Sequence, residues 1–515
     1  MKRETFLYEY VELLRAEDLL DGEPSKELGF ETVRHLTFDS RTCVPGTLFV
    51  CKGEGFKPEY LEKAFDAGAF CYVSEVRYAG GRPAVIVSDI RRAMALMAEL
   101  FFGTEERSFD LIGLTGTKGK STTLYFIKSV LDGWFGREGK RIGFLSTIDS
   151  YDGKEEFESH LTTPEAFTLH EHFLHAEEAG LPVFVMEVSS QGLKYDRTYG
   201  VEFDAGAFLN YGLDHVGKGE HTDEEDYISS KLKFFRQCKT VFLNLDTDRL
   251  ERIYGAAKDA GCRILTYSAS GDREADYRAE DVRKENGRTV FTLKNREDEA
   301  VFTFEISIPG SFNVENAMAA VLLCRWLGVP NEAIAEGLRD ARAKGRMEVF
   351  KSRDGQLVVI SDYAHNILSF EKLYEAVRED YPGWHIEGLF GCPGGKGLSR
   401  REELPRTVAK YAEHVWVTEE DPGNDDVMEI CRTLAENLQK HGCPCSVVPD
   451  REEAIRHAIR HAGPKTVIVM TGKGREEYMH RGNDYVPIES DSALAEKYLK
   501  LREEDRHEQI QRDRR

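Results

Sequence analysis

The stretch Leu111-Ile-Gly-Leu-Thr-Gly-Thr-Lys-Gly-Lys-Ser-Thr-Thr123 decides how the rest of the chain is read. Its apolar start, Leu111–Leu114, has the length of a buried strand; a Gly-rich turn follows, and Leu124–Leu131 reads as a helix. Such a turn leaves backbone N–H groups free to face phosphate oxygens at the positive end of a helix. Lys120 is spaced to reach β- and γ-phosphates, and the Ser121 hydroxyl to ligate Mg²⁺. The general G-x-x-x-x-G-K-[ST] spacing is not met, because position 114 is Leu. An ordinary strand–turn–helix is the alternative, and the strand context with Gly119-Lys120-Ser121 outweighs it. ATP binding is the expectation.

Working outward, residues before about Thr104 mix strand-like runs (Thr47–Cys51, Cys71–Ser74, Ala84–Val87) with helical ones (Tyr60–Ala67, Ile90–Phe102), the mark of an α/β layer. The polar segment Gly103–Ser108 separates this part from the strand Leu111–Leu114. From there to about residue 343 the pattern is again β then α, ending in the Ala-rich helix Asn313–Leu327, and Arg339–Gly345 reads as a linker. Beyond it, Leu357–Ser361, Ile386–Phe390, Val415–Thr418, Cys445–Val448 and Thr466–Met470 are each followed by helix-like sequence, which predicts a parallel Rossmann-like sheet. The expected fold is α/β in three domains, residues 1–106, 107–343 and 344–500, with a polar, frayed helical tail at 501–515.

Length agrees: at ~150 residues per domain, 515 residues suggest roughly three. A balance of 41% hydrophobic and 31% charged residues is that of a globular protein. The formal charge of −22 argues against a nucleic-acid partner, since polyphosphate backbones are gripped by clustered Lys and Arg. A small anion in one local pocket is not excluded. No apolar run approaches the ~18 residues of a membrane span, and the start, MKRETFLYEY, lacks a signal-peptide core. Ten scattered cysteines without a C-x-x-C pair form no disulfide framework or zinc ribbon. A cytoplasmic protein is expected.

The loop TGTKGKST resembles that of the Mur ligases, which lengthen the peptide of cell-wall precursors, and of their relatives the folylpolyglutamate synthases. The resemblance continues in order along the chain: Asp39-Ser40-Arg41 with Pro45–Val50, Leu161-Thr162-Thr163-Pro164-Glu165, Glu187-Val188-Ser189-Ser190, Asn210 through His215, and Tyr227-Ile228-Ser229-Ser230-Lys231. It ends with Pro309–Asn316, Gly345-Arg346-Met347-Glu348, Asp362-Tyr363-Ala364-His365 and Gly472-Lys473-Gly474-Arg475-Glu476. GRME alone is a weak signal; the ordered set is strong. The DSR and TTPE segments are similar to those of the MurE branch.

That resemblance implies an N-terminal UDP-sugar-binding domain, a central P-loop ATPase-like domain and a C-terminal Rossmann-like domain for the amino acid. It implies an ATP-dependent amide ligase that adds an amino acid to UDP-N-acetylmuramoyl-L-alanyl-D-glutamate through an acyl phosphate, working as a monomer in peptidoglycan synthesis, and so in cell shape and division. ATP would be held by Gly116, Thr117, Lys118, Gly119, Lys120, Ser121 and Thr122, by Asn316 near the adenine, and by Arg346 and Asp362, with His365 beside them. Magnesium would be held by Ser121, Glu187, His215 and Lys231, the last as a carbamate, with Lys120, Glu187, His215 and Lys231 serving catalysis. By themselves a strand-end Glu is more often a solvated charge, a lone His a structural hydrogen-bonder, and a helical Lys a surface cation; Lys233, two residues on, is a built-in control. Ser40, Arg41, Thr162, Thr163, Ser189 and Arg197 would hold the UDP-muramyl peptide, and Lys396, Glu420, Asp421, Gly472 and Glu476 the incoming amino acid.

The pattern breaks at three positions. Tyr195 stands where the family usually has a Gln-like residue two positions before the Arg. The diaminopimelate-adding branch carries Asp-Asn-Pro-Arg, whose Arg grips the distal carboxylate; here the stretch is Glu420-Asp421-Pro422-Gly423, and glycine cannot make that fork. Lys396 stands where an Arg usually meets the α-carboxylate, and it offers a point charge in place of a fork. The acidic run at residues 419–426 favours L-lysine or another basic amino acid over meso-diaminopimelate. The alternatives are a meso-diaminopimelate-adding enzyme, a non-catalytic UDP-muropeptide-binding paralogue, a folylpolyglutamate synthase and a general P-loop ATPase.

Overall fold

The computed structural model describes residues 4–513, except 23–28, 54, 159–160, 213–220, 273, 286, 298–300, 311, 396 and 483, and only the backbone from 506 onward. Among the described residues three larger sheets follow one another along the chain, with two two-stranded ones beside them. The first holds four parallel strands, ordered His35–Thr37, Thr47–Val50, Ala69–Ser74, Ala84–Ile86. The helix Ile90–Phe102 covers it with an apolar face of Ala93, Met94, Met97, Ala98 and Phe101, and Asp89 caps its start through the N–H groups of Arg91 and Arg92.

The second sheet has eleven strands, with Asp110–Thr115 between Val183–Glu187 and Phe203–Phe208 and parallel to both. These three strands are buried on both faces, as the parallel part of a sheet with helices on each side requires. On one face lie the helices Lys120–Gly136 and Asn313–Trp326. The second of these is buried on nearly every side, and its alanines allow close approach on all of them. The expected β-then-α repeat fails at both edges: Gly143–Leu145, Ser150–Tyr151 and Glu156–Phe157 pair antiparallel at one, and Tyr277–Glu285, Arg288–Asn295 and Val301–Ile306 form an antiparallel meander at the other. The β-branched and aromatic run Thr289-Val290-Phe291-Thr292 and the left-handed Gly287 (φ 77°) account for the meander.

The third sheet is ordered Glu348–Lys351, Leu357–Asp362, Thr466–Thr471, His385–Phe390, His414–Val417, Cys445–Val447. All neighbours are parallel except the first pair, as the spacing of apolar runs predicts. Arg451 lies buried within this part and forks onto Asp491 (Nε–Oδ1 2.7 Å, Nη2–Oδ2 2.6 Å), with further bonds to the Glu419 and Thr471 carbonyls. The polar tail is the end of one long helix, Asp491–Asp513. All ten cysteines are free, and no helix among the described residues is long and apolar enough to cross a membrane.

Candidate active site

Strands Asp110–Thr115, Val183–Glu187 and Phe203–Phe208 all end at one edge of the central sheet, where ligands of open α/β sheets gather. The loop after the first is shaped before any ligand arrives. Asn210 takes the Thr117 N–H on its carbonyl (3.0 Å) and the Lys118 N–H on Oδ1 (2.8 Å), and returns a bond from Nδ2 to the Lys118 carbonyl (3.1 Å). Thr117 Oγ1 donates to the Gly212 carbonyl (3.0 Å) and lies 2.9 Å from the Tyr227 hydroxyl. Gly119 is left-handed (φ 86°) and opens helix Lys120–Gly136 with no side-chain cap, so the positive helix end faces the cleft. The Asn316 carboxamide sits directly on Gly119, where any Cβ would strike Oδ1. Asn316 is thereby placed at the phosphate loop, and its Nδ2 donates to Asn313 Oδ1 (2.9 Å). The two amides bond each other in the free protein.

Glu187 ends its strand facing this loop. Its carboxylate accepts the Thr147 N–H (3.0 Å) and hydroxyl (3.1 Å), which fixes its orientation though it is buried. Lys231 is 1% exposed and donates to the Gly116 carbonyl at 2.9 Å. Lys233 is the contrast: its side chain is 39% exposed and ion-paired to Asp196 at 2.9 Å. Helical spacing does send the two lysines to opposite surroundings. His215 lies outside the described residues.

A cavity of about 390 Å³ joins the two larger parts of the chain. The central part lines it with Thr117 through Thr122, Glu187 and Lys231, the C-terminal part with Arg346, Asp362 and His365. Gly116 turns its carbonyl to the two lysines and does not line the cavity. Burial pushes the Asp362 carboxyl up, while Arg346, the N–H groups of Met347 and Ala364, and Lys118 across the cleft draw it down. Thr162, Ser189 and Arg197 reach the same cavity. Thr163 is buried behind them, its hydroxyl donating to the Glu187 carbonyl (3.0 Å) and accepting the Ser189 N–H (2.9 Å). Ser40 and Arg41 belong to the first sheet's loop and do not line it; Arg41 is 87% exposed and paired to Asp39.

A second cavity, about 230 Å³, opens beside it between Thr147, Asp149, Lys344, Arg346, Glu476 and Tyr478. Lys473, wholly buried, anchors its floor by pairing with Asp421 (3.0 Å) and Glu476. Asp421 and Met347 both hold left-handed backbone (φ 43° and 47°), strain of the sort found where side chains are aimed for function. The acidic run 419–426 is spent differently from the sequence reading. Glu419 pairs with Arg481 (Nε–Oε2 3.2 Å), Asp425 with Arg401 (2.8 Å), and Asp426 caps helix Val427–Lys440. Ion pairing within the fold uses up charge that an arriving cation would otherwise meet. Glu420 alone of this group makes no hydrogen bond or ion pair with a described residue; it packs on Gly472, and burial pushes its carboxyl up to about 7. Lys396 lies outside the described residues.

Sequence reading passed over Thr147, Tyr363 and the burial of Lys473. Thr147 was accessible as a hydroxyl two residues past the short strand Gly143–Leu145, at the active edge. No pattern in GKGRE separates a buried lysine from a surface one.

Residues 114–324 match the Mur ligase middle domain and residues 345–474 the Mur ligase glutamate ligase domain. The UDP-N-acetylmuramyl-tripeptide synthetase of Lactobacillus delbrueckii subsp. bulgaricus is 33% identical over 506 residues, 95% of this chain and 97% of that one. The UDP-N-acetylmuramoyl-L-alanyl-D-glutamate–L-lysine ligase of Streptococcus thermophilus is 35% identical over 474 residues, 91% and 93% of the two chains. Among solved structures, a UDP-N-acetylmuramoyl-L-alanyl-D-glutamate–2,6-diaminopimelate ligase superposes with a TM-score of 0.67 at 22% identity, over 97% of this chain and all of that one (100%). MurF of Thermotoga maritima in complex with ADP superposes at 0.58 and 16% identity, over 93% and 99%.

Proposed function

The chain belongs to the Mur ligase family, and from that membership we propose that it joins L-lysine to UDP-N-acetylmuramoyl-L-alanyl-D-glutamate with cleavage of ATP, as a tripeptide synthetase of peptidoglycan assembly. The observation that carries this reading is the single cavity in which a phosphate loop, a strand-end carboxylate, a buried lysine and three C-terminal polar residues meet.

In the reaction, a carboxylate of the acceptor attacks the γ-phosphate of ATP, giving an acyl phosphate and ADP. The amine of the amino acid attacks the acyl carbon, and phosphate leaves from the tetrahedral intermediate as the amide forms. Three anions must approach one another, so fixed cations and a dry site govern the rate. Lys118 and Lys120 take the phosphates on the loop, and Arg346 approaches from the C-terminal part. Gripping ATP from both parts makes closure, with water expelled, a condition of turnover. Thr162, Ser189 and Arg197 orient the acceptor; Glu476 and Glu420 receive the amino acid. Ser40 and Arg41 lie on the N-terminal part, which would hold the uridine end.

The oxygen donors of Ser121 and Glu187 suit Mg²⁺, the latter already oriented by Thr147. Bound there, the ion would supply neutralisation of phosphate charge. Lys231 as an ammonium donates to Gly116 and cannot be a ligand. Loss of one proton from the ammonium frees the Nζ lone pair to add to the carbon of CO₂, and loss of a second proton leaves a carbamate anion that can be one. The test is phosphate release with UDP-MurNAc-L-Ala-D-Glu present, with and without L-lysine. Lysine-dependent release is expected; unconditional release indicates an ATPase, and silence with retained nucleotide-sugar binding a non-catalytic paralogue.

A further inference from the structure

Near the Glu156–Phe157 edge of the central sheet, outside the cavity of the phosphate loop, three side chains converge on one point. Asp152 follows the strand Ser150–Tyr151, next to the edge strand Glu156–Phe157, while His172 and His175 stand at i, i+3 on helix Ala166–Ala179 and share one of its faces. One oxygen, Asp152 Oδ2, lies 2.8 Å from His172 Nδ1 and 2.7 Å from His175 Nδ1. The three ligand atoms all fall within 4.8 Å of one another.

The surroundings hold these atoms in place. The second carboxylate oxygen of Asp152 accepts the N–H groups of Lys154 (3.0 Å) and Glu155 (3.1 Å), so the group cannot turn away. The His172 ring is stacked on Phe157 with centroids 4.5 Å apart, and His175 stands at 72° to it. The Asp152 side chain is fully buried and that of His172 nearly so, while His175 keeps 17% of its side chain exposed. Burial pushes the Asp152 carboxyl up, but the two imidazoles and the two N–H groups outweigh it and hold the carboxylate ionised. Oriented, dehydrated ligands with a fixed outer layer and one open side are what a metal centre needs.

We propose that Asp152, His172 and His175 bind a divalent transition cation of the Zn²⁺ class, at a site separate from that of the magnesium. Two imidazole nitrogens and one carboxylate oxygen suit Zn²⁺, Co²⁺ or Ni²⁺; Mg²⁺ takes oxygen ligands almost alone. Ligand atoms now at hydrogen-bond separation need to part by only a few tenths of an ångström to accept an ion at ~2.0–2.2 Å. Each neutral imidazole moves its hydrogen from Nδ1 to Nε2 and offers the freed lone pair, so no net proton or electron is exchanged. Water fills a fourth position on the exposed side of His175.

The ion would clip the edge hairpin to the helix and close the segment between them, which carries Thr162, Thr163 and Glu165. Glu165 in turn pairs with Lys52 of the first sheet's domain (2.5 Å) and with Arg197 (3.1 Å). A clip there stiffens the loop that faces the acceptor.

The test is a Co²⁺ titration of the tag-free full-length protein in excess Mg²⁺, read by visible d–d absorption and by competition with Zn²⁺. The expected result is one high-affinity Co²⁺ per chain, displaced by Zn²⁺, with a raised melting temperature. His175→Ala, at a partly exposed position, should fold, as circular dichroism will show, and lose at least about tenfold in affinity. Glu187→Ala should leave the uptake unchanged. Equal Co²⁺ uptake by wild type and His175→Ala overturns the proposal, as does loss of the Co²⁺ spectrum in Glu187→Ala.

Discussion

Lys120 and Lys231 bring their ammonium groups to one acceptor, the Gly116 carbonyl, each at 2.9 Å. Two cations on one carbonyl repel each other, and in the proposed reaction the arrangement would be relieved by movement of Lys120 to phosphate and conversion of Lys231 to a carbamate. Lys231→Ala should therefore lose nearly all ligase activity and regain part of it with a short carboxylic acid. Lys233→Ala should stay within about twofold of wild type, since its half-exposed ammonium is paired to Asp196 and does not line the cavity. Steady-state rates of the two variants with and without acetate check this; an active Lys231→Ala enzyme rules the carbamate out.

Gly119 combines left-handed backbone with the Asn316 carboxamide against its Cα. Gly119→Ala meets both obstacles, a cost of about 1–3 kcal/mol at the loop. Nucleotide affinity should fall about tenfold or more, with far-ultraviolet circular dichroism unchanged. Calorimetric titration with ADP measures it.

Burial holds Glu420 neutral below about pH 7. A carboxyl with a raised pKa gains its charge only as pH rises through that value, and only then attracts an ammonium. The KM for L-lysine should thus fall as pH rises through about 7 in wild type. In Glu420→Gln the KM should be higher and nearly flat across the same range. An equally steep profile in the variant removes Glu420 from the amino-acid site.

The Arg451–Asp491 fork is buried on both sides and bonded to two carbonyls besides. Arg451→Ala leaves Asp491 charged and dry, a loss of about 3–5 kcal/mol in urea unfolding. Arg451→Met combined with Asp491→Leu should recover part of it, because no lone charge remains.

Much of this is legible in the sequence. The runs Leu357–Ile360 and Val467–Met470 are continuous apolar stretches of strand length, and they pair as the middle of the C-terminal sheet. The phosphate loop announces itself because its chemistry needs glycine, lysine and a hydroxyl in fixed order. What escaped depends on distance between residues remote in sequence. The acidic run at 419–426 looks like a receptor for a cation until Arg481 and Arg401 are seen to neutralise it. Asp152 and His172 are twenty positions apart, and no local pattern joins them. Tyr277–Ile306 departs from the β-then-α rhythm because its turn residues reverse the chain before a helix can form.

The most direct measurement is the mass of the product formed with ATP, Mg²⁺ and UDP-MurNAc-L-Ala-D-Glu when L-lysine and meso-diaminopimelate are supplied in equal amounts. A UDP-muramyl tripeptide carrying lysine, formed with stoichiometric phosphate, is expected. A product carrying mainly diaminopimelate, or ATP cleavage with no tripeptide at all, contradicts it.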